Sequence, residues 1–200
     1  MRQRGADRRL SLLQAALDLF STQGYDGSTT RAIAERGGVT EALLFKHFPT
    51  KQALLRAVVD EFGPRRLFPP PSPSAAALPA RAALELLVTQ YLDAFRENRA
   101  FLRMVFTTPK RDQAVFEEVW TEFGRQGLYL YALLEERSDR GELRPGVATA
   151  AAEVIATATS GFLQRMLSEE EPADWEQARA RFVAHLLDIV FGGIEKRELP

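Results

Sequence analysis

Residues 30–48 read TRAIAERGGVTEALLFKHF, and this stretch decides the fold of the N-terminal part of the chain. The pattern predicts one short helix from residue 29 or 30 to residue 36, and a second helix over about residues 40–48. Two helices joined by a tight turn need a small residue where they approach each other, and Ala34 provides it. The turn also needs a residue that tolerates a positive φ, and Gly38 provides it. Apolar side chains for the inner faces stand at matching positions: Ile33, Val39, Leu44 and Phe48.

This spacing is that of a DNA-binding helix-turn-helix, whose second helix, here residues 40–47, lies in the major groove. A compact helical hairpin that binds no nucleic acid explains the same small and apolar residues. The flanking residues favour DNA. Thr29 and Thr30 bring hydroxyl groups to a helix N-terminus, where phosphate is held, although each serves equally well as an N-cap. Lys51 begins the following helix, and a basic arm precedes the first one: Arg2, Arg4, Arg8 and Arg9.

The rest of the chain is predicted to be helical, because apolar residues recur every three or four positions and no alternating strand pattern occurs. A proline-rich stretch, residues 63–79, holds six prolines in seventeen residues and marks a boundary or an exposed loop. We therefore predict an all-α protein with a DNA-binding domain at residues 1–50, a connecting helix and linker at 51–79, and a helical body at 80–200. The predicted helices outside the motif cover residues 8–24, 51–62, 81–96, 99–106, 112–137, 149–167 and 175–191.

Composition excludes several classes of protein. The 200 residues are 46% hydrophobic and 26% charged, as in an ordinary globular chain. The absence of cysteine excludes disulfides, iron–sulfur clusters and cysteine nucleophiles. The two histidines, His47 and His185, lie far apart in sequence, so we expect no metal and no cofactor. No apolar run is long enough to span a membrane, and the basic start leads into an amphipathic segment, so we expect no secretory signal and a cytoplasmic protein without membrane partners.

Charge is distributed unevenly along the chain. Residues 1–51 contain eight Lys and Arg against five Asp and Glu, whereas residues 52–200 contain eighteen against twenty-two. A basic N-terminal part on a mildly acidic body is typical of a protein that binds a polyanion through its N-terminus. A basic face that is merely solvated accounts for this small excess equally well.

Phe20, the pair Gly24-Tyr25 and residues 28–55, STTRAIAERGGVTEALLFKHFPTKQALL, resemble the tetracycline-repressor (TetR) family of bacterial transcriptional regulators. The family pattern has a Thr-rich start, Ile-Ala, Gly-Val-Ser/Thr, an aromatic residue three positions before a Phe, and a following Lys. The resemblance covers about a quarter of the chain. It implies a three-helix DNA-binding head, a fourth connecting helix, and a helical body that binds an effector and dimerises.

The resemblance also implies roles for single residues. Two positions depart from the family pattern: Phe45 stands where a tyrosine is usual and lacks its hydroxyl, and Ala42 replaces a small residue such as glycine. Glu41 either accepts a hydrogen bond from a cytosine amine or raises the cost of non-specific binding. A metal-binding or catalytic role for His47 is the weaker interpretation. Base edges are assigned to Thr40, Glu41 and Ala42, and the phosphate and sugar backbone to Thr29, Thr30, Phe45, Lys46, His47 and Lys51.

The body is rich in large apolar residues, most of which a core alone would explain. A subset is expected to line a cavity, because ligand sites are mostly apolar with few polar anchors. No charged residue stands out as a counter-ion, so a neutral lipophilic or aromatic effector is expected. The predicted ligand-binding residues are Tyr91, Phe95, Met104, Trp120, Phe123, Gln126, Thr157 and Phe162.

The last two predicted helices are apolar on more than one side, which requires a second partner surface. A four-helix bundle formed with a symmetry mate meets this need, whereas a monomer would bury both helices internally. The predicted dimer contacts are Ala152, Ile155, Phe162, Phe182, Leu186 and Ile189.

We therefore predict a homodimeric repressor, not an enzyme, that leaves a near-palindromic DNA operator when a small lipophilic or aromatic effector binds. The first alternative is a helical adaptor whose head no longer binds DNA, which the missing hydroxyl at Phe45 favours. The second is an enzyme that uses carboxylates such as Glu153 or the run at residues 169–171. The chain contains no glycine-rich phosphate loop and no nucleophile elbow.

Overall fold

The computed structural model of the chain describes residues 2–63, 75, 77–108, 114, 116–168 and 174–194, with the backbone alone at residues 2–6, 118, 168, 193 and 194. The described residues form nine helices and no β-strand, so the predicted all-α class is confirmed. The helices are α1 (Arg2–Gly27), α2 (Thr30–Arg36), α3 (Glu41–His47), α4 (Lys51–Phe62), α5 (Ala80–Glu97), α6 (Arg99–Thr107), α7 (Glu117–Asp139), α8 (Ala148–Ser168) and α9 (Trp175–Ile194).

The chain divides into two compact units. The first comprises residues 1–67 and 98–121, and the second comprises residues 68–97 and 122–200. In the first unit α1 packs against α2, α4 and α6, and α2 packs against α3. In the second unit α9 packs against α5 and α8, and α5 also contacts α8. Most of the predicted proline-rich linker, residues 64–74 and 76, lies outside the described residues.

Three threonines begin the short helices of the first unit. The Thr29 hydroxyl accepts a hydrogen bond from the Ala32 amide at 3.1 Å, and the Thr40 hydroxyl accepts one from the Leu43 amide at 3.3 Å. Thr50 caps α4 in the same way. Each cap satisfies one of the amides that the first turn of a helix leaves without a partner. The helix α3 therefore begins at Glu41, one position later than predicted, and Thr40 is its N-cap.

The first helix differs from its prediction at both ends. Residues 2–6 belong to α1 itself and do not precede it as a separate arm, and the side chains of Arg2 and Arg4 lie outside the description. The predicted stop at Gly24 is a kink, since Gly24 adopts φ +76° and the helix resumes to Gly27. The predicted polar connection after it is partly buried. The Tyr25 ring packs 5.3 Å from that of Phe20, and the Ser28 hydroxyl donates to the Gly24 carbonyl at 2.8 Å.

The turn between α2 and α3 forms as the sequence predicts. Gly38 has φ +68°, and the Val39 amide donates to the Ala34 carbonyl at 3.0 Å. Ala34 is buried, which lets the two helices approach closely. A Cβ atom on Gly37 would stand 2.8 Å from Cδ2 of the buried Leu12, so the turn lies directly against α1.

Ionic and aromatic contacts hold the second unit together. The Trp175 indole donates to Asp93 at 3.3 Å, and the Arg179 guanidinium pairs with the same carboxylate, which joins α9 to α5. The buried Arg137 of α7 donates to Glu142 at 3.3 Å and to the Ala75 carbonyl at 2.9 Å. Charges buried at this depth are stable only when they are paired and hydrogen-bonded.

None of the helices in the described part of the chain has the length and hydropathy that a membrane span requires.

Gly38→Ala should lower the free energy of unfolding by about 1–2 kcal/mol, because a Cβ atom is disfavoured in the left-handed region. Space is not the reason, since nothing lies within 4 Å of the added atom. The control is Gly27→Ala in the same unit, whose Cβ would meet only Gln23 Cβ at an ordinary 3.8 Å. Urea unfolding of both variants checks the prediction. Equal midpoints for the two would show that the positive φ carries no strain.

Candidate functional site

The candidate site of the first unit is the outer side of α3 with the N-termini of α2 and α4. Leu44 and Phe48 face the core and are buried, whereas Thr40, Ala42 and Lys46 are exposed. Glu41 and His47 are partly buried. Phe45 is 42% exposed, a large fraction for an aromatic side chain. The residues that the resemblance assigns to bases therefore lie on or beside the open side of α3.

The hydroxyl groups at this site differ in the hydrogen bonds that they make. Thr29 and Thr40 act as caps, and accepting an amide uses one oxygen lone pair without using the hydroxyl proton. Thr30 instead donates to Glu41 Oε1 at 2.6 Å, which links the start of α2 to the first residue of α3. Sequence reasoning did not find this contact, because it joins residues eleven positions apart on different helices.

Lys51, assigned to the phosphate backbone, is held at the start of α4. Its ammonium group donates to the Tyr25 carbonyl and lies 4.4 Å from the centroid of the Tyr25 ring. An ammonium carries three donors, so the carbonyl occupies only one of them. The Arg9 guanidinium lies 5.4 Å from the centroid of the Phe48 ring. Both cations are thus fixed by aromatic rings close to the ends of the helices that carry the site.

A second candidate site is a cavity of about 230 Å³ inside the second unit, between α5, α7 and α8. Its wall is mostly apolar with a few polar groups, as ligand sites are. Small residues of α7 and α8 leave the space that the cavity occupies. The lining residues are Leu87, Val88, Tyr91, Phe123, Gln126, Gly127, Leu130, Ile155, Ala156, Thr159 and Ser160.

Three of the eight predicted ligand-binding residues line this cavity: Tyr91, Phe123 and Gln126. The other five do not line it. Met104 is buried in α6 of the first unit, and Trp120 belongs to the same unit, with its ring 5.7 Å from that of Phe106. Thr157 is exposed, whereas Thr159, two residues further along α8, lines the cavity. Phe95 is buried elsewhere in the core, and Phe162 packs against α9.

The polar groups of the cavity are uncharged. Burial raises the pKa of Tyr91 to about 12, so its phenol keeps its proton. The Gln126 amide donates to Glu122 Oε1 at 3.2 Å, and the other oxygen of that carboxylate pairs with Arg125. The Thr159 hydroxyl is buried and has no hydrogen-bond partner within the described part of the chain. The sequence signal for Thr159 was its position one turn after Ile155 on α8, which also lines the cavity.

The six predicted dimer residues differ in how far they are exposed within the chain. Phe162 and Phe182 stack on each other within the chain, with ring centroids 4.3 Å apart, and Ile155 and Leu186 are buried. Ala152 is partly buried, whereas Ile189 is 73% exposed. The helices α8 and α9 pack against each other and against α5. This packing buries much of the apolar surface from which the sequence analysis predicted a partner chain.

Comparison with known proteins agrees with the geometry of the first unit. Residues 12–58 match the family of bacterial regulatory proteins called the tetR family. The transcriptional repressor AcnR of Corynebacterium glutamicum is 24% identical over 194 residues, which cover 95% of this chain and 94% of that protein. The class A tetracycline repressor from transposon 1721 of Escherichia coli is 48% identical over 50 residues, but these cover only 25% of this chain and 23% of that protein.

Solved structures share the whole fold. NalD of Pseudomonas aeruginosa, described as the secondary repressor of the MexAB-OprM multidrug efflux pump, superposes with a TM-score of 0.66. The superposition covers 96% of this chain and 99% of that chain at 19% identity, which shows a common fold. The family match includes all of α2 and α3 with the threonines that cap them. The remaining described helices share their fold with the solved structure of NalD. The chain therefore carries, at residues 12–58, the DNA-binding region typical of the tetR family of bacterial regulatory proteins, and it is a DNA-binding transcriptional regulator.

Proposed function

We propose that this regulator is a repressor that binds a near-palindromic operator as a homodimer and leaves it when a small uncharged effector binds. The observation that carries the proposal is the presence of two separate sites, the outer side of α3 in the first unit and an apolar cavity in the second. The three similar proteins described above are all named or described as repressors, which favours repression over activation. A regulator of this kind acts where the bacterial chromosome lies, in the cytoplasm, and has no catalytic role.

The proposed DNA contacts divide into two groups. Thr40, Glu41 and Ala42 read base edges, because they lie at the exposed beginning of α3 and recognition helices contact bases through their N-terminal residues. Lysine and hydroxyl groups around them hold phosphates, which fix the orientation of the helix without reading sequence. Phe45, which has no hydroxyl, contributes apolar contact with the sugars. The phosphate and sugar group comprises Thr29, Phe45, Lys46, His47 and Lys51, whereas Thr30, which the sequence also assigned to it, holds the Glu41 carboxylate.

Dimerisation is proposed through the outer sides of α8 and α9. Val154 on α8 is 50% exposed and Ile189 on α9 is 73% exposed, although both are apolar. One head makes too few contacts for tight binding, and a two-fold dimer presents two recognition helices about 34 Å or more apart. A partner copy of this chain therefore accounts for both the exposed apolar side chains and the proposed palindrome.

Release by an effector requires two arrangements of the protein that differ in their affinity for the operator. A ligand that binds one arrangement more tightly shifts the population towards it, and the coupling free energy is typically about 1–3 kcal/mol. The cavity walls include Phe123, Gln126 and Gly127 of α7, a helix whose first residues, up to Thr121, belong to the first unit. This covalent continuity supports α7 as the element through which a ligand acts.

Lys46→Gln should weaken binding to all DNA sequences alike and lower the slope of log K against log salt by about one unit, because one phosphate contact is lost. Arg36→Gln is the matched control, since it removes the same charge from a residue of the same unit that pairs with Asp18 at 3.0 Å. Anisotropy titrations across salt measure both slopes. An equal loss of slope for Arg36→Gln would mean that general charge, not a contact made by α3, governs DNA binding.

Thr30→Val should change the preference for the base pair that Glu41 reads, because the hydroxyl that holds the carboxylate is gone. In a Glu41→Ala background, Thr30→Val should have no further effect on sequence preference. The coupling free energy between positions 30 and 41 in operator discrimination should therefore be about 1 kcal/mol. The measurement uses an operator selected from random DNA and its single-base variants. If Thr30→Val instead weakens all sequences equally in both backgrounds, then Thr30 binds phosphate directly.

Glu41→Gln separates the two roles left open for this carboxylate. If Glu41 accepts from a cytosine amine, the variant should lose preference at one base pair by about 1–3 kcal/mol. If the charge only opposes non-specific binding, the variant should bind every sequence more tightly. The same titrations distinguish these outcomes.

Ile189→Glu should convert the dimer into a monomer without loss of helicity, because the side chain is exposed and its charge would be buried only at the partner surface. Leu128→Glu is the control. Leu128 is 67% exposed and belongs to α7, which is not one of the two helices of the proposed contact, so this variant should remain dimeric. Light scattering after size exclusion gives both masses. A dimeric Ile189→Glu variant would move the interface to another surface.

A further inference from the structure

The cavity of the second unit constrains the chemistry of its ligand more closely than a general apolar site does. We propose that it binds an uncharged, largely apolar molecule of about ten non-hydrogen atoms with one hydroxyl or carbonyl group, and that Thr159 hydrogen-bonds with this group. The inference rests on the proposed function for its biological meaning, since the cavity is the site at which an effector would act.

The size of the ligand follows from the volume. An apolar cavity of about 150 Å³ accommodates benzene, which has six carbon atoms. The cavity here measures about 230 Å³, which scales to about nine or ten atoms. The rings of Tyr91 and Phe123 form part of the wall, and flat aromatic surfaces pack well against another ring. A fused bicyclic compound therefore fits both the volume and the lining.

The charge of the ligand follows from the lining. None of the described residues that line the cavity carries a formal charge. The nearby carboxylate of Glu122 is engaged by Gln126 and Arg125 and is not available to a cationic ligand. The Tyr91 phenol remains protonated, because burial raises its pKa to about 12. An ionised ligand would lose its hydration here without gaining a partner, so the cavity favours a neutral one.

The position of the polar group follows from Thr159. Its hydroxyl is the buried side-chain oxygen of the described cavity lining that lacks a hydrogen-bond partner. Such a group is unfavourable unless something pairs with it, and a ligand atom in the adjacent cavity can do so. Rotation about χ1 exchanges the hydroxyl and methyl groups of a threonine, and both rotamers are common on helices. A hydroxyl can donate to a ligand carbonyl or accept from a ligand hydroxyl.

Three test compounds of one shape separate these features: naphthalene, 2-naphthol and 2-naphthoate. Calorimetric titration of the full chain, without DNA, measures their affinities. We expect 2-naphthol to bind about tenfold more tightly than naphthalene, which corresponds to one hydrogen bond, and 2-naphthoate to bind most weakly. Thr159→Val should reduce the affinity for 2-naphthol about tenfold and leave that for naphthalene nearly unchanged.

A pair of glycine variants tests whether binding occurs in this cavity. A Cβ atom on Gly127 or on Gly124 would meet nothing within 4 Å, and both lie on α7, but only Gly127 is among the cavity-lining residues. Gly127→Leu should therefore abolish binding of naphthalene and 2-naphthol, whereas Gly124→Leu should preserve it. Circular dichroism confirms that each variant is folded, and Gly127→Ala replaces Gly127→Leu if the larger residue disrupts α7.

Several results would overturn the inference. They are tightest binding of 2-naphthoate, equal effects of Thr159→Val on naphthalene and 2-naphthol, unchanged binding in a folded Gly127 variant, or no binding of any of the three compounds. A separate titration of operator DNA keeps this test distinct from that of the proposed function. A compound that binds the cavity but leaves operator affinity unchanged contradicts effector release and leaves the ligand assignment intact.

Discussion

Burial of the apolar side of α1 is the interaction on which the DNA-binding unit depends. Leu12, Leu13 and Phe20 are fully buried, and α1 packs against α2, α4 and α6. The helices α2 and α3 have seven residues each, far fewer than an isolated helix needs to be stable in water. They hold their shape because α1 supports the pair and threonine caps close their first turns. The side of α3 that is proposed to read DNA is the side that this packing leaves exposed.

The local character of these signals explains why the first unit could be predicted closely from the sequence. The cap at Thr29, the positive φ at Gly38 and the small Ala34 each require only a few neighbouring residues. The errors were of one kind, a residue or a few at helix ends. Gly24 was predicted to end α1. In the structure the Tyr25 ring is buried against Phe20, and the helix resumes after a kink at Gly24.

The second unit could be predicted only as helices, because its cavity depends on which sides of those helices meet. Thr157 and Thr159 are both threonines of α8. Side chains two positions apart on a helix point in directions about 200° apart, so only Thr159 reaches the cavity. Large apolar residues are equally ambiguous in a sequence. Met104 and Phe162 fill the cores of their own units, and nothing in their spacing separates a core position from a cavity wall. Phe162 and Phe182, both assigned to the dimer contact, stack on each other within the chain, and their part in a dimer stays a prediction.

The hydrogen bond between Thr30 and Glu41 has a consequence for how such a regulator acquires new targets. Glu41 at the start of α3, the proposed recognition helix, is held by Thr30 at the start of α2, over a distance of 2.6 Å. A single substitution at position 41 then leaves an orphaned hydroxyl, and a single substitution at position 30 leaves an unsupported carboxylate. Divergence of operator preference between descendants of this protein would therefore proceed through paired changes at positions 30 and 41, inherited together.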